Sequence, residues 1–269
     1  MSRRTPPGYV ALDIPQGRIV AHQHYADAVR EAVAGGTLHT WAGAHPERRE
    51  LQGRVTAWSA PLPGEGPRVV VRHSHRGGLL APLLRDLFLP VTRAPLELKN
   101  SIILRELGVL TPPVAAYVLY PAAARLLWRA DVATIELPGE DLVAALRRDR
   151  SADRRRTLVS VVAALLGSLT QAGVWHPDLN AKNIFLVDDG DGPPQGALLD
   201  VDRVTFMYSG DPNLREANFR RLARSMRKWR AREGTGFTEA ELDELHQLLT
   251  RDEAVQATHR ALSLGERGT

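Results

Sequence analysis

No cysteine occurs in the 269 residues. Disulfides and cysteine metal sites are therefore excluded, and a reducing compartment is allowed. Lysine is scarce: only positions 99, 182 and 228 carry it among 35 basic residues, and the rest are arginine. No apolar run approaches the ~20 residues that a membrane-spanning helix needs. Val159 to Leu169 is too short, and Pro112, Pro113 and Pro121 interrupt the region 109–128. Met1-Ser2-Arg3-Arg4 brings charge with no apolar segment behind it, so no signal peptide is expected. Internal repeats are absent. What is present is 43% hydrophobic residues, enough for a sizeable core, and a net charge of +4. A basic balance fits a phosphorylated substrate, an anionic membrane surface or nucleic acid without choosing among them.

The most informative stretch is Gly173-Val174-Trp175-His176-Pro177-Asp178-Leu179-Asn180-Ala181-Lys182-Asn183, followed by the apolar run Ile184 to Val187. Downstream, Leu198-Leu199 leads into Asp200. This is His-x-Asp-x-x-x-x-Asn, a β run, and a second apolar strand ending in Asp, the polar set of a kinase-type phosphotransferase. ATP phosphates are strongly anionic, and Mg²⁺ held near them takes hard oxygen ligands with only one or two protein carboxylates. Asp200 offers a carboxylate and Asn183 a neutral amide oxygen. Asp178 is placed to orient an acceptor hydroxyl and take its proton. A lone Asp-x-x-x-x-Asn carries little information. Here it coincides with an apolar helix before it, a His two residues ahead, a strand after it and a second strand at hairpin distance. A plain polar loop with Asp178 and Asn180 as turn formers is the competing reading. His176 reads as a structural hydrogen-bonding residue.

Along the chain, residues 1–20 read as an irregular leader and Asp27 to Ala34 as a short helix stopped by Gly35-Gly36. Residues 50–58 and 68–73 read as two strands of a hairpin around a Pro/Gly-rich turn. Arg72 closes the second of these strands, where a kinase-like lobe carries a phosphate-holding lysine. It keeps the charge and adds a planar fork. Residues 79–89 read as a helical insert or lid. Pro95 to Leu107 reads as a helix, with Glu97 in its first turn as a partner for Arg72 or as a helix-end charge. His73 and His75 lack a third ligand nearby, so metal binding there is not expected. Strands are expected over Pro112 to Tyr120 and over Leu126 to Leu137. Glu136-Leu137-Pro138-Gly139 then reads as a hinge whose backbone grips an adenine edge. A long helix is expected through Gln171, capped by Ser151 or Asp153, with Leu158, Val161, Val162, Leu165, Leu166 and Leu169 as its buried stripe. Asn218 to Trp229 reads as a basic amphipathic helix, with Phe219, Leu222, Met226 and Trp229 inside and Arg221, Arg224, Arg227 and Lys228 outside. Its outer face is either simply solvated or meets an anionic substrate or membrane. Thr238 and Glu241 have capping-box spacing for a last helix.

These pieces carry a family resemblance. Arg72-His73, Arg76-Gly77-Gly78, Arg93, Glu97, Arg129-Ala130-Asp131, the His176 to Asn183 string, Leu199 to Arg203 and Asn218 to Lys228 together resemble the lipopolysaccharide kinase group. Within it they are most similar to the 3-deoxy-D-manno-octulosonic acid (Kdo) kinases. The resemblance covers roughly residues 40–230. It implies an α+β, two-lobed protein-kinase-like fold, with an antiparallel-sheet N-lobe over about 20–137, a hinge at about 136–139 and a mainly helical C-lobe over about 140–265. It implies ATP- and Mg²⁺-dependent phosphorylation of a hydroxyl of a lipid-linked Kdo acceptor, at the cytoplasmic face of the inner membrane. In that frame Asp178 is the base, Asn183 and Asp200 are metal ligands, Arg72 with Glu97 holds phosphates, and Glu136 and Leu137 meet the nucleotide. Heptose kinases, small-molecule phosphotransferases of the same fold and a non-catalytic binding module remain as alternatives. Nucleic acid is not an expected partner. Pro177 and Asn180 depart from the protein kinases, and the segment from Asp200 to Asn218 is short, so control by a phosphorylated activation loop is not expected. Val201 and His75 stand where the family usually has Phe and an aromatic residue.

Overall fold

The structure is a computed structural model that describes residues 5–51, 56–74, 93–122, 127–190 and 192–251. The chain divides into two compact units, one of residues 1–103 and 112–137, the other of residues 104–111 and 138–269.

The first unit is built on a seven-stranded sheet. Its strands are β1 (Tyr9–Ile14), β2 (Gly17–His22), β3 (Arg49–Leu51), β4 (Ala57–Pro61), β5 (Arg68–His73), β6 (Val114–Ala122) and β7 (Leu127–Ile135). They lie in the order β1-β2-β6-β7-β5-β4-β3, and every neighbouring pair is antiparallel. Alternation along β5 turns Val69 and Val71 to one face of the sheet and Val70 and Arg72 to the other. Val69 and Val71 join Ala116, Val118 and Ala133 beneath α1 (Ala26–Ala32) and α2 (Leu38–Ala44). On a second core, Val132, Val114 and Tyr117 pack with Ala94 and Leu98 of α3 (Ala94–Glu106).

The expected irregular leader is instead the β1–β2 hairpin, an edge of this sheet, so the sheet begins well before residue 20. Gly17 makes that possible. A Cβ there would lie 1.9 Å from the Leu119 carbonyl oxygen of β6, so only glycine lets the strands meet in this register. The segment 50–58 is two strands, β3 and β4, paired with each other (Leu51 opposite Ala57), rather than one. His75, Arg76-Gly77-Gly78, residues 79–89 and the tail after residue 251 lie outside the described residues.

In the second unit, α4 (Leu142–Arg148), α5 (Ala152–Gln171), α6 (Pro212–Glu233) and a helix over 239–251 surround two small sheets. One has the order β11-β10-β8, from β8 (Gly139–Asp141), β10 (Ile184–Val187) and β11 (Gln195–Leu198); the other pairs β9 (Val174–Trp175) with β12 (Thr205–Phe206). Ser151 caps α5, its Oγ accepting the Arg154 N–H, and the predicted stripe from Leu158 to Leu169 is buried throughout. Burial of each such leucine is worth roughly 1.5–3 kcal/mol. The basic helix is longer than its sequence signature, starting at Pro212. The Thr238–Glu241 capping box forms: Thr238 N–H donates to Glu241 Oε2 at 2.7 Å, and Glu241 N–H donates to Thr238 Oγ1 at 3.2 Å. Among the described residues no helix is long and apolar enough to cross a membrane.

Candidate active site

In the second unit the loop after β9 is held by side chains bonded to its main-chain atoms. His176 is fully buried. Its Nδ1 accepts the Asp178 N–H at 3.1 Å, so the ring proton sits on Nε2 and is donated to the Leu199 carbonyl at 3.3 Å. Burial holds its pKa below the ordinary 6.5, which keeps the ring neutral and this pair of bonds intact. The structural reading of His176 is thus the one its contacts match: it ties the Asp178 amide to the residue before Asp200.

The Asp178 carbonyl receives two side-chain amides, Asn183 Nδ2 at 2.9 Å and Asn180 Nδ2 at 3.1 Å. Asn183 is buried, and fixing its NH₂ on this carbonyl turns its Oδ1 the other way, available as a neutral oxygen ligand. Asn183 also accepts the Leu199 N–H on its own carbonyl at 2.8 Å. Three main-chain segments, at 176–178, 183 and 199, are therefore knotted together, and the Asp178 and Asp200 side chains emerge exposed from the knot. Asp200 has φ 54° and ψ 50°, in the left-handed region; with Glu65 it is one of two such non-glycine residues among those described. A non-glycine residue in that region is strained, and such strain concentrates at functional positions.

Helix α6 holds this loop at both ends. Asn218, fully buried, accepts the His176 N–H on Oδ1 at 3.2 Å and donates Nδ2 to the Val174 carbonyl at 2.8 Å. Two helical turns further on, Ser225 Oγ accepts the Ala181 N–H at 3.1 Å. Neither residue stood out as a site residue in the sequence. The available signal was position: Leu214, Asn218, Leu222 and Met226 recur every four residues and are all buried, so a polar side chain on that stripe needs a polar partner. On the outer face, Arg227 and Arg230 both pair with Glu239, whose carboxyl they hold at a pKa of about 2. Arg224, Arg227 and Lys228 are all exposed, and Arg227 is in addition engaged within the unit. Lys182 Nζ reaches Asp141 Oδ2 at 3.0 Å, while Asp141 Oδ1 caps α4 through the Val143 and Ala144 N–H groups.

In the first unit, Arg72 lies on β5 opposite Ala57 and Val132, and its guanidinium pairs with Glu97 of α3. Of the two readings of Glu97, the structure adopts the pairing. Both side chains are largely covered, 34% and 10% exposed. Next to it, His73 Nδ1 lies 2.5 Å from Asp131 Oδ1, and Asp131 Oδ2 accepts the His39 N–H at 2.9 Å. Glu136 is committed to the sheet. Its Oε2 accepts from Arg49 at 2.7 Å and Ser59 at 2.6 Å, and its N–H donates to the Arg68 carbonyl at 3.0 Å. The adjoining Leu137 is half-buried. Among the described residues no group of three or more His, Cys, Asp or Glu side chains could hold a metal ion.

An antiparallel sheet carrying a strand arginine paired to a helix glutamate, together with a helical unit presenting an Asp–Asn loop and a strained Asp, defines a phosphotransferase of the protein-kinase fold. The comparisons agree. The solved structure described as "WaaP in complex with acyl carrier protein" shares the fold, with a TM-score of 0.54, 20% identity, and coverage of 93% of this chain and 97% of that one. The chain belongs to the lipopolysaccharide kinase (Kdo/WaaP) family, whose model matches residues 39–248. Its relatives include proteins named 3-deoxy-D-manno-octulosonic acid kinase. One, from Stenotrophomonas maltophilia strain K279a, is 34% identical over 66% of this chain and 68% of its own length. Another, from Vibrio parahaemolyticus, is 28% identical over 74% and 84%. The expected fold class, an antiparallel-sheet lobe and a mainly helical lobe of kinase type, is borne out.

Proposed function

We propose that this chain transfers the γ-phosphoryl group of ATP to a hydroxyl of Kdo on a lipid A precursor, during assembly of the lipopolysaccharide inner core. Membership of the family and the names of its relatives support the acceptor class. The observation that carries the chemistry is the knot around Asp178. With its N–H fixed on His176 and its carbonyl on Asn180 and Asn183, the carboxylate is aimed by its backbone and needs no reorganisation. In the reaction the acceptor oxygen attacks the γ-phosphorus, the bond from that phosphorus to the ADP oxygen breaks, and the acceptor proton passes to Asp178.

Asn183 Oδ1 and the Asp200 carboxylate are a donor set that fits Mg²⁺: hard oxygens, one carboxylate, and room for water and phosphate oxygens to complete the shell. When bound, the ion neutralises charge on the phosphates. Arg72 binds nucleotide phosphate, with Glu97 orienting its fork. At the hinge, the N–H of Glu136 and its carboxylate are already in use, so adenine recognition falls to its carbonyl and to the backbone of Leu137. A lipid-linked acceptor places the working enzyme peripherally on the cytoplasmic face of the inner membrane.

The test is transfer of labelled phosphate from Mg·ATP to purified Kdo-lipid A precursor, with a heptosylated acceptor alongside and Asp178→Asn as control. Labelling of the Kdo acceptor that disappears in the variant is the expected result. Labelling of the heptosylated acceptor alone would keep the chemistry and move the acceptor, and labelling of neither would remove the proposal.

A further inference from the structure

The large hydrophobic side chains exposed among the described residues include one consecutive run: Phe206 at 38%, Met207 at 53% and Tyr208 at 87%. Three adjacent apolar residues left in water disfavour the folded chain's solubility unless something covers them in use. Nor is this a slack loop that could fold them away. Phe206 pairs with Val174 across β12 and β9, Met207 N–H donates to the Gly173 carbonyl at 2.7 Å, and Gly210 N–H donates to the Thr170 carbonyl at 2.8 Å. Ser209 Oγ adds a bond to the Gln171 carbonyl. The approach at Gly173 (φ 67°) is so close that a Cβ there would lie 2.4 Å from the Met207 oxygen. The strap is therefore clamped to the strand that runs directly into His176 and Asp178.

Its chemistry selects an occupant. Residues 204–210 contain no charged side chain, Arg203 just before them is exposed, and α6, the next element, carries eight arginine and lysine residues, of which Arg220, Arg227 and Arg230 pair with glutamates while Arg224 and Lys228 are exposed. A short projecting run of Phe, Met and Tyr beside an arginine-rich element is the composition that enters the interfacial layer of an anionic bilayer. A protein partner would require roughly 800 Å² of complementary surface per side, far more than three side chains supply.

We infer that Phe206, Met207 and Tyr208 form a wedge that inserts into the headgroup layer of an anionic membrane and seats the Asp178 loop at that surface. The value of this seating for catalysis rests on the lipid-linked acceptor proposed above; the insertion itself does not. Because the chain lacks cysteine, Tyr208→Cys places a single environment-sensitive dye at the tip. With phosphatidylglycerol/phosphatidylethanolamine vesicles, the expected result is a blue-shifted emission, quenched by shallow spin-labelled lipids. Replacement of all three residues by serine should weaken vesicle sedimentation roughly tenfold or more. It should raise the KM for vesicle-embedded acceptor and leave turnover of a deacylated, water-soluble acceptor unchanged. Emission that stays water-like with vesicles, equal sedimentation of the serine variant, or a blue shift that appears without lipid as the chain self-associates would each overturn the inference. Failure to phosphorylate the soluble acceptor would instead strike the proposed function, while the dye and sedimentation results would still decide the wedge.

Discussion

The two units hold their functional groups by different means. In the first, Arg72 is placed by one side chain meeting another, the Glu97 carboxylate. In the second, Asp178 is placed through its main chain, its N–H bonded to His176 Nδ1 and its carbonyl to Asn183 Nδ2, and the Asn183 carbonyl takes the Leu199 N–H. A side-chain ion pair tolerates exchange of like charge and adjusts by rotamer. A backbone knot does not adjust, but its bonds run through the main chain of Asp178 rather than through the carboxylate it presents. In the function proposed above, the groups given to the chemistry are thereby fixed in place, and the arginine given to the nucleotide is adaptable.

The sharpest way to break this comparison is Asp178→Asn. Its structural bonds are main-chain bonds that asparagine keeps, so kcat should fall about 10²–10⁴-fold while the melting temperature and ATP binding stay near those of the parent. A large loss of stability would show that the side chain, not the backbone, holds the loop. Next in size is Asn218→Leu. It leaves the buried His176 N–H and Val174 carbonyl unpaired, roughly 1–3 kcal/mol for each group, and denaturant melts should show that loss together with reduced kcat. Third comes Arg72. Arg72→Met should raise the KM for ATP about tenfold and Arg72→Lys only a few-fold, since lysine keeps the charge and loses the fork. Equal effects of the two would contradict an adaptable nucleotide end.

The smallest effect concerns pH. Folded His176 titrates below 6.5 because it is buried, so the unfolded chain takes up the proton first as pH falls. Its contribution to stability is complete above about 6.5 and is lost as pH drops from there towards the folded pKa. Protonation at Nδ1 would also remove the acceptor for the Asp178 N–H. Urea melts between pH 7.5 and 5.5 should therefore slope downward, and less steeply in His176→Asn. Identical slopes would show that the ring carries no such linkage.

Much of this was legible in the chain because local pattern and local chemistry agree. The strand Val69-Val70-Val71, the caps at Ser151 and Thr238, the α5 stripe and the Asp178–Asn183 spacing each announce themselves within a few residues. The β1–β2 hairpin did not. Tyr9 to Ile14 lacks clean alternation, Pro15 obscures the turn, and its stability comes from pairing with β6 about a hundred residues away. Asn218 was hidden for the opposite reason: the eight basic residues of its helix drew attention outward, whereas Asn218 and Ser225 work inward. The fixing of the Glu136 carboxylate was not legible either, since its partners Arg49, Ser59 and Arg68 lie on β3, β4 and β5, far away in the chain.

Asp200 stands where the backbone favours few side chains. Its left-handed conformation is one that glycine adopts freely and that asparagine and aspartate visit more readily than other L-residues, which enter it at a disadvantage of roughly 1–2 kcal/mol. The side chains that this backbone admits most readily are thus the short polar ones, and among them aspartate alone brings the ionised carboxylate that the proposed metal site asks for.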